Sequence, residues 1–187
     1  MKKLVLLLPI LLLPTIVAAA EVEYAYTTAY FNIPLDASFE ITLLGVSAVE
    51  SAESAPGTAT TWISFNFTSV PEYWVEPQTE GQTANKQNGI TQPIFRYRNI
   101  GNIEIDIYLN ASSPGPNTAI CANASCDGTC VSATTACTDI VNQPTWVRMV
   151  DELAVNSYLN VTLYGNVTTG ATGGQLEFTI YHRSDTN

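Results

Sequence analysis

Along much of the chain, apolar and polar residues alternate one by one. Ile103-Glu104-Ile105-Asp106-Ile107-Tyr108-Leu109-Asn110 does so without interruption, as do Tyr158 to Tyr164 and Gln175 to Tyr181. A period of two sends successive side chains to opposite faces of an extended chain, so each segment predicts a strand with one buried face. The pattern is less regular over Ser38 to Leu44, Thr61 to Val70, Ile94 to Asn99 and Trp146 to Val150. No stretch holds a 3.6-residue period over three turns. Strands broken by Gly, Pro, Asn and Ser predict an all-β chain folded as a single β-sandwich, jelly-roll or Ig-like. Its expected interior is Ile63, Phe65, Phe67, Phe95, Tyr97, Ile105, Ile107, Leu109, Leu159, Val161, Leu163, Leu176, Phe178 and Ile180. Two stretches, Pro71 to Gly89 and Ser112 to Asn142, break the pattern and are expected to be long loops.

The N-terminal pattern differs. Lys2 and Lys3 precede an apolar run, Leu4 to Val17, interrupted by Pro9 and Pro14, and Ala18-Ala19-Ala20 follows. That layout predicts a secretory signal peptide over residues 1–20, cleaved before Glu21. The alternative is a retained anchor, but the run is shorter than the roughly 20 residues a spanning helix needs. Beyond it, Val22, Tyr24, Tyr26, Thr28 and Tyr30 share one face of a predicted strand, and Pro34 ends the segment. Residues 21–33 therefore read as an aromatic strand at a free end, and 34–187 as the sandwich.

Composition narrows the partners. The chain carries 7 basic and 17 acidic residues, and loss of Lys2 and Lys3 with the signal peptide makes the balance more acidic still. Such a surface repels nucleic acid and anionic lipid, so neither partner is expected, and no membrane contact is expected after cleavage.

Cys121, Cys126, Cys130 and Cys137 are an even set in a chain expected to be secreted, which reads as disulfides. A four-cysteine zinc site needs two close pairs, and this spacing does not supply them, so no metal or other cofactor is expected. Three pairings fit and spacing does not choose among them. Five N-x-S/T sequons occur, at Asn66, Asn110, Asn123, Asn160 and Asn166. Asn66, Asn110 and Asn160 are out of phase with their apolar neighbours and so are expected to face solvent, where a glycan can sit. Catalysis finds little support. His182 is the single histidine and is in phase with Leu176, Phe178 and Ile180, as a strand-end residue. No G-x-S-x-G occurs. Glu104 with Asp106, or Asp151 with Glu152, could be drawn into a glycosidase scheme, but Glu104 and Asp106 are expected on the outward face of a strand. Tyr73 or Trp74 is expected to plug one end of the sandwich; left exposed, Trp74 would offer a face for a sugar ring.

The segment Asn99-Ile100-Gly101-Asn102, followed by the alternating strand Ile103 to Ile107, resembles the N-x-G-N turn of many secreted archaeal sandwich domains. Ser157 to Tyr181 resembles their closing pair of strands. With the signal peptide, the N-terminal strand and the sequons, the whole is similar to the TasA-like biofilm fibre proteins and the archaeal bundling pili and threads. The resemblance implies a structural, non-enzymatic subunit that binds identical copies by donor-strand complementation, with glycans or neighbouring filaments as further partners. Alternatives are a monomeric glycan-binding or surface-layer accessory domain and, more remotely, a hydrolase. For the turn itself, phase favours a hairpin with the loop Ile100 to Asn102, setting Arg98 opposite Glu104 and Arg96 opposite Asp106. The resemblance favours a corner, with the two strands in opposite sheets.

Overall fold

The computed structural model of the chain describes residues 35–44, 50–54, 63–79, 93–141 and 143–186. The expected signal peptide and N-terminal strand, with Val22, Tyr24, Tyr26, Thr28 and Tyr30, lie outside these residues. Among the described residues there is no helix. The strands are β1 (Phe39–Leu44), β2 (Glu50–Ser54), β3 (Ile63–Ser64), β4 (Glu72–Val75), β5 (Gln78–Thr79), β6 (Phe95–Asn99), β7 (Ile105–Ala111), β8 (Thr118–Asp127), β9 (Ser132–Ala133), β10 (Thr138–Asp139), β11 (Val147–Leu153), β12 (Tyr158–Val167) and β13 (Ile180–Asp185).

They form two antiparallel sheets and a short β3–β5 pair. The larger sheet runs β10-β8-β12-β6-β1-β2, and β4 takes over from β6 along the same edge of β12. The smaller runs β13-β7-β11-β9. The alternation read from the sequence explains how the sheets meet. Ile105, Ile107 and Leu109 of β7 and Leu159, Val161 and Leu163 of β12 are all buried in one core cluster, with Tyr97, Ile120, Met149 and Leu153. Each such aliphatic side chain contributes roughly 1.5–3 kcal/mol by leaving water.

Three expectations are corrected. The stretch expected as a loop over residues 112–142 contains β8, which pairs with β12 in unbroken register from Tyr158↔Asp127 to Val167↔Thr118. Its inward side chains, Ile120, Ala122 and Ala124, are mostly too small to give the alternation hydrophobic contrast. The disulfides are Cys121–Cys137 and Cys126–Cys130. The first ties β10 to β8 on the outer face, and the second closes the turn that follows β8, against the core. Two disulfides fit an oxidising compartment outside the cytoplasm.

The second correction concerns the turn at Asn99. β6 pairs with β1 and β12, while β7 pairs with β11 and β13, so the chain passes from one sheet to the other and the hairpin does not form. Arg98 lies 3.9 Å from Glu40 and Arg96 3.4 Å from Asp127, in place of the expected partners. Gly101 does not supply a left-handed turn. A Cβ there would lie 2.0 Å from the Asp36 carbonyl oxygen, so glycine is needed for close backbone approach.

The third concerns the last predicted strand. Gln175 to Thr179 is not in a ladder, and pairing begins at Ile180 and continues to Asp185. Its partner β7 ends at Ala111, and the chain beyond bends at Gly115 and turns at Pro116 and Asn117, leaving residues 175–178 without a neighbouring strand. Leu176 is consequently exposed, and Phe178 and Ile180 are only half-buried. Thr61 to Val70 falls short in the same way, with pairing confined to β3 among its described residues.

Candidate functional site: an open groove and the face beside it

The segments around Phe65 and Leu176 border the same space. Phe65 and Phe67 on one side and Leu176 and Phe178 on the other line a groove of ≈ 1230 Å³ whose floor includes Ile120 and Val167. Glycine at position 165 makes this possible. Gly165 points inward from β12, where a Cβ would come within 2.8 Å of the Phe65 ring and 2.9 Å of the Phe67 ring. The rings of Phe65 and Phe178 lie 6.0 Å apart, joining the two borders at one point. Thr179 is tied down by exchanging hydrogen bonds with Ser112, its N–H to the hydroxyl at 2.8 Å and its C=O from the Ser112 N–H at 2.9 Å. The groove exceeds the roughly 300–1,000 Å³ of ordinary small-molecule pockets.

The turn leading to β4 sits at one end of the groove. Glu72 accepts the backbone N–H groups of Ser69 at 3.0 Å and Thr68 at 2.6 Å, which lower its pKa and fix the turn around the cis Val70–Pro71 bond. β4 then meets β12 with a bulge: Gly165 faces Val75 and Val167 faces Glu72, so Tyr73 and Trp74 together oppose Asn166. Trp74 takes a left-handed φ of 62°, and its N–H donates to Asn166 Oδ1 at 2.7 Å. Its indole packs edge-on against Tyr164, with ring centroids 5.6 Å apart. The expected plug is absent: Tyr73 is 53% and Trp74 57% exposed.

The sequons occupy different settings. Asn66 is exposed and, like Asn166, borders the groove. Asn123 and Asn160 are half-buried on the outer face of the larger sheet, Asn123 opposite Thr162 and Asn160 between Ser125 and Arg96. Asn110 is also half-buried, and its Nδ2 donates to the Gln143 carbonyl at 3.1 Å.

The titratable groups weighed for catalysis have structural partners. His182 faces inward from β13, its Nδ1 2.8 Å from the Tyr97 hydroxyl and its ring edge-on to Phe95. Burial lowers its pKa to about 4 and raises that of Tyr97. Asp106 is buried, not on an open face. It accepts the Glu152 N–H and the Tyr108 hydroxyl, both at 2.9 Å, and pairs with Arg148 at 3.3 Å. Arg148 also reaches Asp151 at 2.8 Å. Glu104 is exposed and lies outside this cluster. Sequence phase missed Asp106 because β11 is bulged twice against β7, which folds Glu152 and Arg148 over the strand. Comparison with known protein families, curated proteins and solved structures finds no match.

Proposed function

We propose that the chain is the structural subunit of an extracellular filament, built by donor-strand complementation. In this reading the strand at residues 21–33 of one copy enters the groove of the next, completing its sandwich. The observation that carries the reading is the open groove with a strand-like segment along its edge that joins no sheet. Residues 175–178 have strand-like sequence, stand outside every ladder and border the groove, whose other side carries Phe65 and Phe67. An added strand would bring a backbone ladder to such an edge and side chains at every second position to the groove. Val22, Tyr24, Tyr26, Thr28 and Tyr30 provide that alternate face, and eleven extended residues span about 36 Å. Passed from copy to copy the contact does not close on itself, so a filament results.

The test uses the protein from Glu21 onward beside a version lacking residues 21–31. The full protein should polymerise. The shortened one should remain a monomer, bind a synthetic peptide of residues 21–31, and in that peptide's presence stay unable to join fibres. Fibres formed by the shortened protein, or a full-length protein that stays monomeric with its own strand in its own groove, would refute the reading.

A further inference from the structure

The exposed aromatic pair beside the groove carries a second, independent inference. Trp74 and Asn166 are brought together by the β4–β12 bulge, and Asn166-Val167-Thr168 is a sequon. The amide of Asn166 is oriented by its Oδ1, which holds the Trp74 N–H. Oδ1 and Nδ2 share one carbon, so Nδ2, the atom that a sugar would join, sits next to Trp74. The indole is braced by Tyr164 and otherwise open to solvent. β12 ends at Val167, and Thr168, Thr169 and Gly170 are exposed, leaving room at this sequon. Asn110 is the contrast: its Nδ2 is already spent on a backbone carbonyl. A positive φ is uncommon for a bulky residue, and here it holds the Trp74 indole out beside the sequon amide.

We infer that Asn166 carries an N-linked glycan whose first sugar lies against the Trp74 indole, with Tyr164 behind it. The attachment joins Nδ2 to the anomeric carbon of a sugar borne on a lipid phosphate supplied by the secreting cell. Nδ2 gives up one proton, and the lipid phosphate departs with the electron pair of the broken bond. The sugar's C–H face then covers the apolar ring, and the glycan projects away from the strand end.

The test begins with protein secreted by its own cells. Chymotryptic cleavage after Tyr164 separates Asn166 from Asn160, and mass spectrometry of the peptide beginning at Gly165 should find the sugar mass. The second measurement compares the glycosylated protein with Thr168→Val, which removes the sequon but keeps Asn166. In a Trp62→Phe/Trp146→Phe background, where Trp74 alone fluoresces, loss of the glycan should increase acrylamide quenching. Stacking of ordinary strength should also make Thr168→Val lower Tm by about 2–4 °C in a chain of this size. Trp74→Ala should then cost less in the Thr168→Val protein than in the glycosylated one. An unmodified Asn166, or equal quenching with additive Tm losses, would overturn the inference.

Discussion

At the scale of single residues, the core contains a polar contact that makes stability depend on pH. Tyr97 of β6 and His182 of β13 meet across the two sheets through a 2.8 Å hydrogen bond. Burial holds the folded-state pKa of His182 at about 4, below its ordinary 6.5. The unfolded chain therefore takes up a proton that the folded protein refuses. Stability from this group is full above pH 6.5 and falls as the pH drops from 6.5 to 4. The loss reaches at most about 3 kcal/mol, less whatever water recovers at the imidazole's partly exposed rim. Replacing the pair with Tyr97→Phe/His182→Phe keeps the ring packing and removes the titrating group. Urea unfolding at several pH values between 4 and 6.5 should show a flatter profile in the double variant; parallel profiles would assign the slope to other groups.

At the scale of elements, the passage from β6 to β7 determines how the sheets are joined. Asn99 is fully buried there. Its Nδ2 donates to the carbonyls of Ile103 and Leu153, both at 2.8 Å, and its Oδ1 accepts the Gly101 N–H at 3.0 Å. Ile100, Gly101 and Asn102 donate their N–H groups to Ser38 or Asp36, and Asn102 Oδ1 accepts from the Asp36 N–H, so the corner is also stitched to the segment before β1. Asn99→Ala would take the amide donor from two carbonyls at once, Ile103 and Leu153, while the Gly101 N–H keeps the Ser38 carbonyl. Each buried unsatisfied group costs about 1–3 kcal/mol, so a loss near 3 kcal/mol is expected in equilibrium unfolding. A loss below about 1 kcal/mol would mean that water replaces the amide and that the corner is held by its backbone bonds alone. Hairpin and corner were not separable from sequence phase, because the charge pairs that favour the hairpin contribute only ~0.2–1 kcal/mol each. Both arginines of β6 find other carboxylates, and Arg96 also stacks 4.1 Å from the centre of the Tyr158 ring.

At the scale of the whole molecule, the proposed assembly has an energetic signature. A strand inserted from another copy would bury several aromatic side chains, each contributing roughly 1.5–3 kcal/mol before ordering costs. Fibres should therefore melt well above the monomer that lacks residues 21–31. Tyr24→Asp or Tyr26→Asp should lower the fibre melting temperature, since a carboxylate would have to settle among Phe65, Phe67, Leu176 and Phe178. Calorimetry of both variants checks this, and unchanged fibre melting in the two would exclude this face as the anchor. The same reading accounts for the mismatch between predicted and observed strands. Gln175 to Phe178 alternates like β7 and β12, yet joins no ladder in the single chain. A strand-like sequence beside an open groove is what an interface completed by another chain requires.

Period-two alternation by itself determined the all-β class and the inward faces of β6, β7 and β12, because burial of one face demands a fixed phase along each strand. The even cysteine count pointed to disulfides, though not to their pairing. Tertiary structure decided the rest. β8 became visible only through its ten-residue register with β12, since alanine carries too little hydrophobic contrast to mark a face. The pairing of cysteines followed from which positions β8 and the following turns bring within bonding reach. The burial of Asp106 and the meeting of Trp74 with Asn166 both depend on bulges, which shift register by one residue and so escape any fixed period.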